Sequence, residues 1–283
     1  MSAHIEPKET VVRRLFKRGF LGEFPTVEAA IHIMSDDDVA SAVSLYQRWH
    51  GLEADGVVGP ETKRSMSAQR ICALPDYMPM GEELNAWPDP RIRWHVLNPG
   101  KFPGLDEAKV LEAFTWAWAQ WKGVCGVLPE FTPRAEQAHV VIECGSIDRP
   151  GGTLAWSELA DGSMRVKRQK YDSQENWLFQ QGAQLPRFRI DLGRTSCHEI
   201  GHVLGLPHIA SGNLLQPMYD LNIWTPQAGD IREVVARYGP PKNTTPPPPP
   251  PTGKRWTITL TGEGDITDVQ VPGFRITKVQ QAA

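Results

Sequence analysis

The apolar residues of this chain change their spacing several times, and each change marks an element. Near the start, Val12, Leu15 and Phe16 sit at helical spacing, with Arg13, Arg14, Lys17 and Arg18 as a solvated face. Val39, Val43, Tyr46 and Gln47 lead into Trp49 with the same period, so two or three short helices are predicted before a proline-rich break at Pro75, Pro79, Gly81, Pro88 and Pro90. Arg91 to Leu97 then reads as a strand. Asp106 to Lys122 carries Val110, Leu111, Phe114, Trp118 and Trp121 at helical spacing, and its tryptophans are read as core. Strands are predicted over Ala138 to Cys144, Thr153 to Leu159 and Met164 to Tyr171. A helix opens near Asp191 as N-cap, and a last one runs from Thr225, Pro226 and Gln227 to Tyr238. Pro240, Pro241 and Pro246 to Pro251 form a semi-rigid linker. The tail beyond alternates apolar and polar residues as short strands do, and is too short for an independent core. No internal repeat is visible.

The helix that opens near Asp191 holds the chemistry. Residues 198–208 read His-Glu-Ile-Gly-His-Val-Leu-Gly-Leu-Pro-His. His198 and His202, four apart, project from one helix face, as two neutral imidazole ligands of zinc require. Gly205 can adopt the left-handed conformation that turns the chain back, letting His208 supply a third ligand. Three protein ligands leave one position for water, which is the pattern of a catalytic rather than a structural zinc. Glu199 is placed to reach that water without binding the metal.

Composition narrows the class. A chain of 283 residues with net charge −3 and 40% hydrophobic residues suits one large or two smaller globular domains. It carries no electrostatic footprint for nucleic acid. No apolar run is long enough to span a membrane. Glu6, Lys8, Glu9, Arg13 and Arg14 interrupt any signal-peptide core. That leaves open a removed leader, another export route, or residence inside the cell. Cys72, Cys125, Cys144 and Cys197 make no disulfide-dense framework; a Cys125–Cys144 bridge stays an open alternative, and Cys197 is read as a small apolar residue.

On these residues the chain resembles the metzincin metallopeptidases, and among them the matrixins. The zinc motif carries the resemblance, followed by Pro217-Met218-Tyr219, which resembles the methionine turn beneath the zinc, and by the closing pattern of Asp230, Ile231, Val234 and Tyr238 to Pro241. Residues 148–155 and 171–177 resemble two segments that bind a structural calcium in that family, which implies Asp148, Asp172 and Glu175 as side-chain ligands. Residues 45–62 resemble a peptidoglycan-binding-like helical propeptide, and Cys72 to Asp76 resembles the cysteine switch, in which a thiolate fills the fourth zinc position and keeps the enzyme latent. The implied architecture is α+β: a helical propeptide with its switch over 1–80, then a catalytic domain over 81–241 with a twisted mixed sheet and three helices. A Pro-rich linker over 242–252 and a short β-rich tail over 253–283 follow.

Three departures stand out. Ile71 separates Arg70 from Cys72, where the family places the arginine directly before the cysteine, so the family's salt bridge to Asp76 does not follow from the resemblance, and a looser hold of the switch is expected. Trp156 and Lys170 occupy places of histidines that bind the family's second zinc, so one zinc is expected. Ten positions separate His208 from Met218, slightly more than usual, and Ile209 replaces a serine. The implied function is a latent zinc endopeptidase acting on protein or peptide substrates, with activation by another protease and an extracellular or cell-surface location. Substrate is expected to add a strand along Thr153 to Ser157, with Met218 through Thr225 as pocket wall and Tyr219 and Trp224 as either its lining or packing residues. The alternative is a wall-associated peptidase whose N-terminal module binds peptidoglycan. A non-enzymatic zinc protein capped by Cys72 has no use for Glu199.

Overall fold

The computed structural model describes residues 6–68, 70–77, 86–180, 189–220 and 222–242, all within one compact unit, Met1–Pro251. Apart from Lys242, the expected linker and tail lie outside these residues. Four helices precede the break, one more than the upper expectation: α1 (Lys8–Lys17), α2 (Val27–Ile33), α3 (Asp36–Trp49) and α4 (Pro60–Ser67). Ser35 opens α3 with a capping box, its hydroxyl accepting from Asp38 N while the Asp38 carboxylate accepts from Ser35 N, an arrangement worth about 1 kcal/mol. Val12, Leu15, Leu21, Val43 and Tyr46 are buried together as the centre of a small separate core. Arg18 departs from the predicted wet face. Because α1 ends at Lys17, Arg18 is the residue that caps it, and its side chain turns inward and is buried.

The larger core belongs to a five-stranded sheet and three helices. The strands are β1 (Arg91–Val96), β2 (Leu128–Phe131), β3 (Val140–Gly145), β4 (Ala155–Ser157) and β5 (Lys167–Asp172), in the order β2-β1-β3-β5-β4. All neighbours run parallel except β4, which is antiparallel to β5 and forms one edge. On β1, Ile92, Trp94 and Val96 face inward while Arg91 and Arg93 face water, the alternation expected of a half-buried strand. β2 escaped the sequence reading because it is a largely exposed edge strand with Pro129 in it, a residue tolerated only where its missing N–H costs no ladder bond. Two short strands, β6 (Trp177–Leu178) and β7 (Ile190–Asp191), pair with each other.

Helix α5 (Glu107–Val124) starts where Asp106 accepts from Lys109 N at 2.8 Å, and it buries Val110, Ala113, Phe114, Ala117, Trp118 and Trp121 along one face. Helix α6 (Leu192–Val203) starts on the predicted cap, Asp191, whose side chain accepts from Arg194 N. Every residue of α6 is buried, so it is a central rather than a surface helix. Its end follows the glycine-capped pattern: Gly205 has φ of 86°, Leu206 N donates to Gly201 O, and Gly205 N donates to His202 O. Helix α7 (Ala228–Tyr238) closes the domain.

At Gly201, in the last turn of α6, an added Cβ would lie 2.8 Å from both Leu215 Cδ2 and Trp121 Cζ2. Overpacking of this kind outweighs alanine's better helix propensity, and Gly201→Ala is expected to cost about 1–3 kcal/mol. Thermal unfolding of the full chain checks this; an unchanged melting temperature would mean the α5–α6 contact has slack to give.

Candidate metal centre

His198 and His202 lie one turn apart on α6, and the turn at Gly205 brings His208 beside them. Each imidazole spends Nδ1 on a main-chain carbonyl: His198 on Leu214 O at 2.7 Å, His202 on Leu206 O at 2.7 Å, and His208 on Pro75 O at 2.6 Å. A carbonyl only accepts, so each Nδ1 carries the proton and each Nε2 presents a lone pair. Those lone pairs converge. Nε2 of His198 and His202 are 3.0 Å apart, His208 Nε2 is buried without a hydrogen-bond partner, and Cys72 Sγ completes a group whose ligand atoms lie within 4.8 Å of one another.

The electrostatics agree with this geometry. Burial first, and then the neighbouring imidazoles, push His198 and His208 well below the usual histidine range, while burial alone takes His202 down to about 4. All three are therefore neutral donors near pH 7, the protonation state a metal needs. Burial, followed by the adjacent Glu199, pushes the Cys72 thiol up, and burial pushes Glu199 up. Four mutually facing acceptors in a dry pocket fit a dication and little else. Imidazole and thiolate favour zinc among the divalent metals.

Glu199 sits beside the cluster and outside it. Its Oε2 is 3.8 Å from Cys72 Sγ, and its Oε1 is buried with no hydrogen-bond partner. Cys72 arrives on an extended segment threaded between β4 and the turn at Pro217. Ala155 N donates to Ile71 O, Ala73 N donates to Ala155 O, and Ile71 N donates to Pro217 O, each at 3.1 Å. Toward β4 the pairing is parallel, and Arg70 pairs with Met218 in the antiparallel sense. The segment thus fills the groove where an extended substrate was expected.

The displaced arginine still reaches Asp76. Ile71 turns into the large core, 1% exposed, and this lets Arg70 reach Asp76 from one position farther away. Arg18 also meets the same carboxylate, and His50 Nε2 lies 3.4 Å from it. Sequence spacing cannot reveal those two partners, because they come from different helices.

Asp148, from the β3–β4 connection, Asp172, at the end of β5, and Glu175, in the turn after it, meet at the β3–β4 loop and help to fold it. Asp172 accepts from the amides of Ile147, Asp148 and Gln174, Glu175 accepts from Gly151 N at 2.7 Å, and Asp148 accepts from Thr153 N at 3.0 Å. Burial and then repulsion from Asp172 and Asp148 raise Glu175. Among the described residues, however, only the Cys/His group brings three or more ligand atoms within metal-binding reach of one another. Lys170, opposite Trp156 across β4 and β5, lies 3.9 Å from Glu143.

The alternatives left open at other residues can now be narrowed. All four cysteines are free and buried, so Cys125 and Cys144 form no bridge: the Cys125 thiol bonds Trp121 O at the end of α5, and the Cys144 thiol bonds Lys101 O. Tyr219 is held against the start of α6, its hydroxyl accepting from Asp191 N at 3.0 Å and its ring lying 4.1 Å from the Arg194 guanidinium carbon. A residue the sequence reading placed only in a closing pattern proves central. Asp230 accepts from Leu214 N at 2.8 Å and Leu215 N at 3.1 Å, fixing the turn whose Leu214 carbonyl orients His198.

The chain matches two known families. Residues 86–239, over half of the chain, match the matrixin family, and residues 10–66 match a putative peptidoglycan binding domain. The chain belongs to the matrixins, a family of zinc metalloendopeptidases that use zinc and calcium. It is similar to matrix metalloproteinase-17 of Homo sapiens, 22% identical over 248 residues that cover 82% of this chain and 39% of that protein. It is likewise similar to interstitial collagenase of Bos taurus, 30% identical over 223 residues that cover 72% and 44%, and to matrix metalloproteinase-C of Caenorhabditis elegans, 24% identical over 191 residues that cover 63% and 32%. The chain therefore spans less than half the length of each of these relatives. No helix among the described residues is long and apolar enough to cross a membrane.

The link from Asp230 through Leu214 to His198 carries a measurable consequence. Asp230→Asn keeps the size but gives up an acceptor, and it is expected to lower zinc affinity by about 10–100-fold. Competition with a chelating dye measures this; an affinity equal to the parent's would remove Asp230 from the support of the site.

Proposed function

We propose that the chain is a latent zinc endopeptidase, with His198, His202 and His208 as metal ligands, Glu199 as general base and Cys72 as the ligand that enforces latency. The single observation that carries this reading is the convergence of three Nε2 lone pairs and one thiol beside a carboxylate whose Oε1 has no hydrogen-bond partner. When bound, zinc supplies the Lewis acid that polarises the scissile carbonyl and activates water. Glu199 Oε1, buried and unengaged, is the atom that accepts the proton and later returns it to the leaving amine. Substrate main chain takes over the bonds that Ile71 and Ala73 make with Ala155, so the β4 edge positions an extended peptide. Cys72 blocks both functions together, since its sulfur faces the imidazoles and lies against Glu199.

The match of residues 10–66 supports a second role for the helical module as a peptidoglycan contact, which would make the enzyme wall-associated. The family relationship supports an extracellular or cell-surface location and activation by another protease. It also supports calcium among Asp148, Asp172 and Glu175, where mutual repulsion of carboxylates is what a hard cation relieves.

Hydrolysis of a quenched fluorescent peptide tests the main reading. The intact chain is expected to be nearly inactive, and Cys72→Ser to be active without cleavage because a hydroxyl is a poorer zinc ligand than a thiolate. Adding Glu199→Ala to Cys72→Ser should cut the rate by about 10²–10⁴ while zinc stays bound. Equal rates with and without Glu199 would end its assignment as base. For calcium, the melting temperature of the parent should rise on addition of the ion through preferential binding to the native state. Asp172→Ala should abolish the rise, and an identical response in both proteins would place calcium elsewhere.

A further inference from the structure

The switch segment is tied to the helical module as firmly as it is laid into the groove. Asp76 is fully buried, and two of its three cationic or polar partners, Arg18 and His50, come from the ends of α1 and α3. Arg18 also donates to Met66 O at 2.6 Å, and its own carbonyl accepts from Tyr77 N at 3.0 Å. The Tyr77 ring stacks on Phe20 at 5.2 Å and meets Trp49 edge-on at 5.1 Å. Lifting the segment away from the helices would strand a buried carboxylate, so the two must move together.

The module also touches the catalytic side directly. Ser211 N donates to Trp49 O at 3.1 Å, and Gly51, at φ of 67°, lies so close over Ser211 that a Cβ there would come 2.6 Å from its Oγ. Ser211 stands in the ten-position stretch from His208 to Met218, whose length departs from the family pattern. Pro75 O holds His208 on the same side. None of these bonds depends on the chain being continuous after Tyr77.

We propose that the helical module and the switch segment, residues 6–77, form one preorganised inhibitor body that stays docked on the catalytic domain, through Ser211 and the zinc-site groove, after the chain is cut behind it. This rests on the latent-peptidase reading and deepens it. The partner of the exposed catalytic groove is then a separate folded chain, and cutting alone does not activate. Activation waits on dissociation, and rigid coupling through Asp76 slows that dissociation because little conformational freedom is gained until the whole body leaves.

The test uses the full chain with a recognition site for a specific protease placed within residues 78–85. After complete cutting, the two fragments are expected to co-elute on gel filtration, with peptide hydrolysis staying near the intact level and rising slowly on dilution. Arg18→Met in the cut protein should raise hydrolysis by at least tenfold at the same concentration, since uncoupling Asp76 from the helices lets the switch segment leave the groove without the whole body. Ser211→Arg, which leaves the helical module untouched, should do the same by pressing against Gly51. Immediate full activity of the cut parent with separated fragments would overturn the proposal. So would cut variants that stay as silent as the cut parent. If neither the cut parent nor Cys72→Ser hydrolyses peptide, the peptidase reading fails, while co-elution and its loss in Ser211→Arg still decide the docking.

Discussion

Two imidazole nitrogens 3.0 Å apart, each with its lone pair turned toward the other, repel unless positive charge lies between them. The rest of the site is organised around that constraint. Three carbonyls, from Leu214, Leu206 and Pro75, fix the proton of each ring on the far nitrogen and leave the rings no other tautomer to satisfy. Burial keeps the rings neutral. The all-buried helix α6, its glycine-capped end and the turn held by Asp230 exist in the arrangement that makes the three rings meet.

Much of this was legible in the sequence because it is local. The spacing of His198 and His202, the cap at Asp191, the turn at Gly205 and the alternation along β1 all depend on residues a few positions apart, where helical and strand geometry act directly. What failed was non-local or weakly patterned. β2 shows no alternation because an edge strand has little to bury. The turn of Arg18 into the interior depends on where α1 stops and on a carboxylate 58 positions away. The insertion of Ile71 suggested a weaker clasp on Asp76. In the fold it only changes which residue enters the core, and the guanidinium still arrives.

Asp76 also explains why two cores behave as one assembly. Val12, Leu15 and Tyr46 centre one of them, while Ile71 and Cys72 already belong to the other. The carboxylate stands where they meet, and it draws charge from the helical side through Arg18 and from the switch segment through Arg70. Buried ion pairs of this kind add little net stability but strongly penalise any arrangement that separates them.

The four free thiols have a consequence of a different sort. With Cys72, Cys125, Cys144 and Cys197 all buried and none bridged, the fold does not draw on the redox poise of its surroundings and needs no oxidant to complete it. Three of these sulfurs are locked among core side chains or main-chain carbonyls. The fourth, Cys72, is covered only while its segment lies along β4, so its meeting with a thiol reagent records the opening of the groove, molecule by molecule.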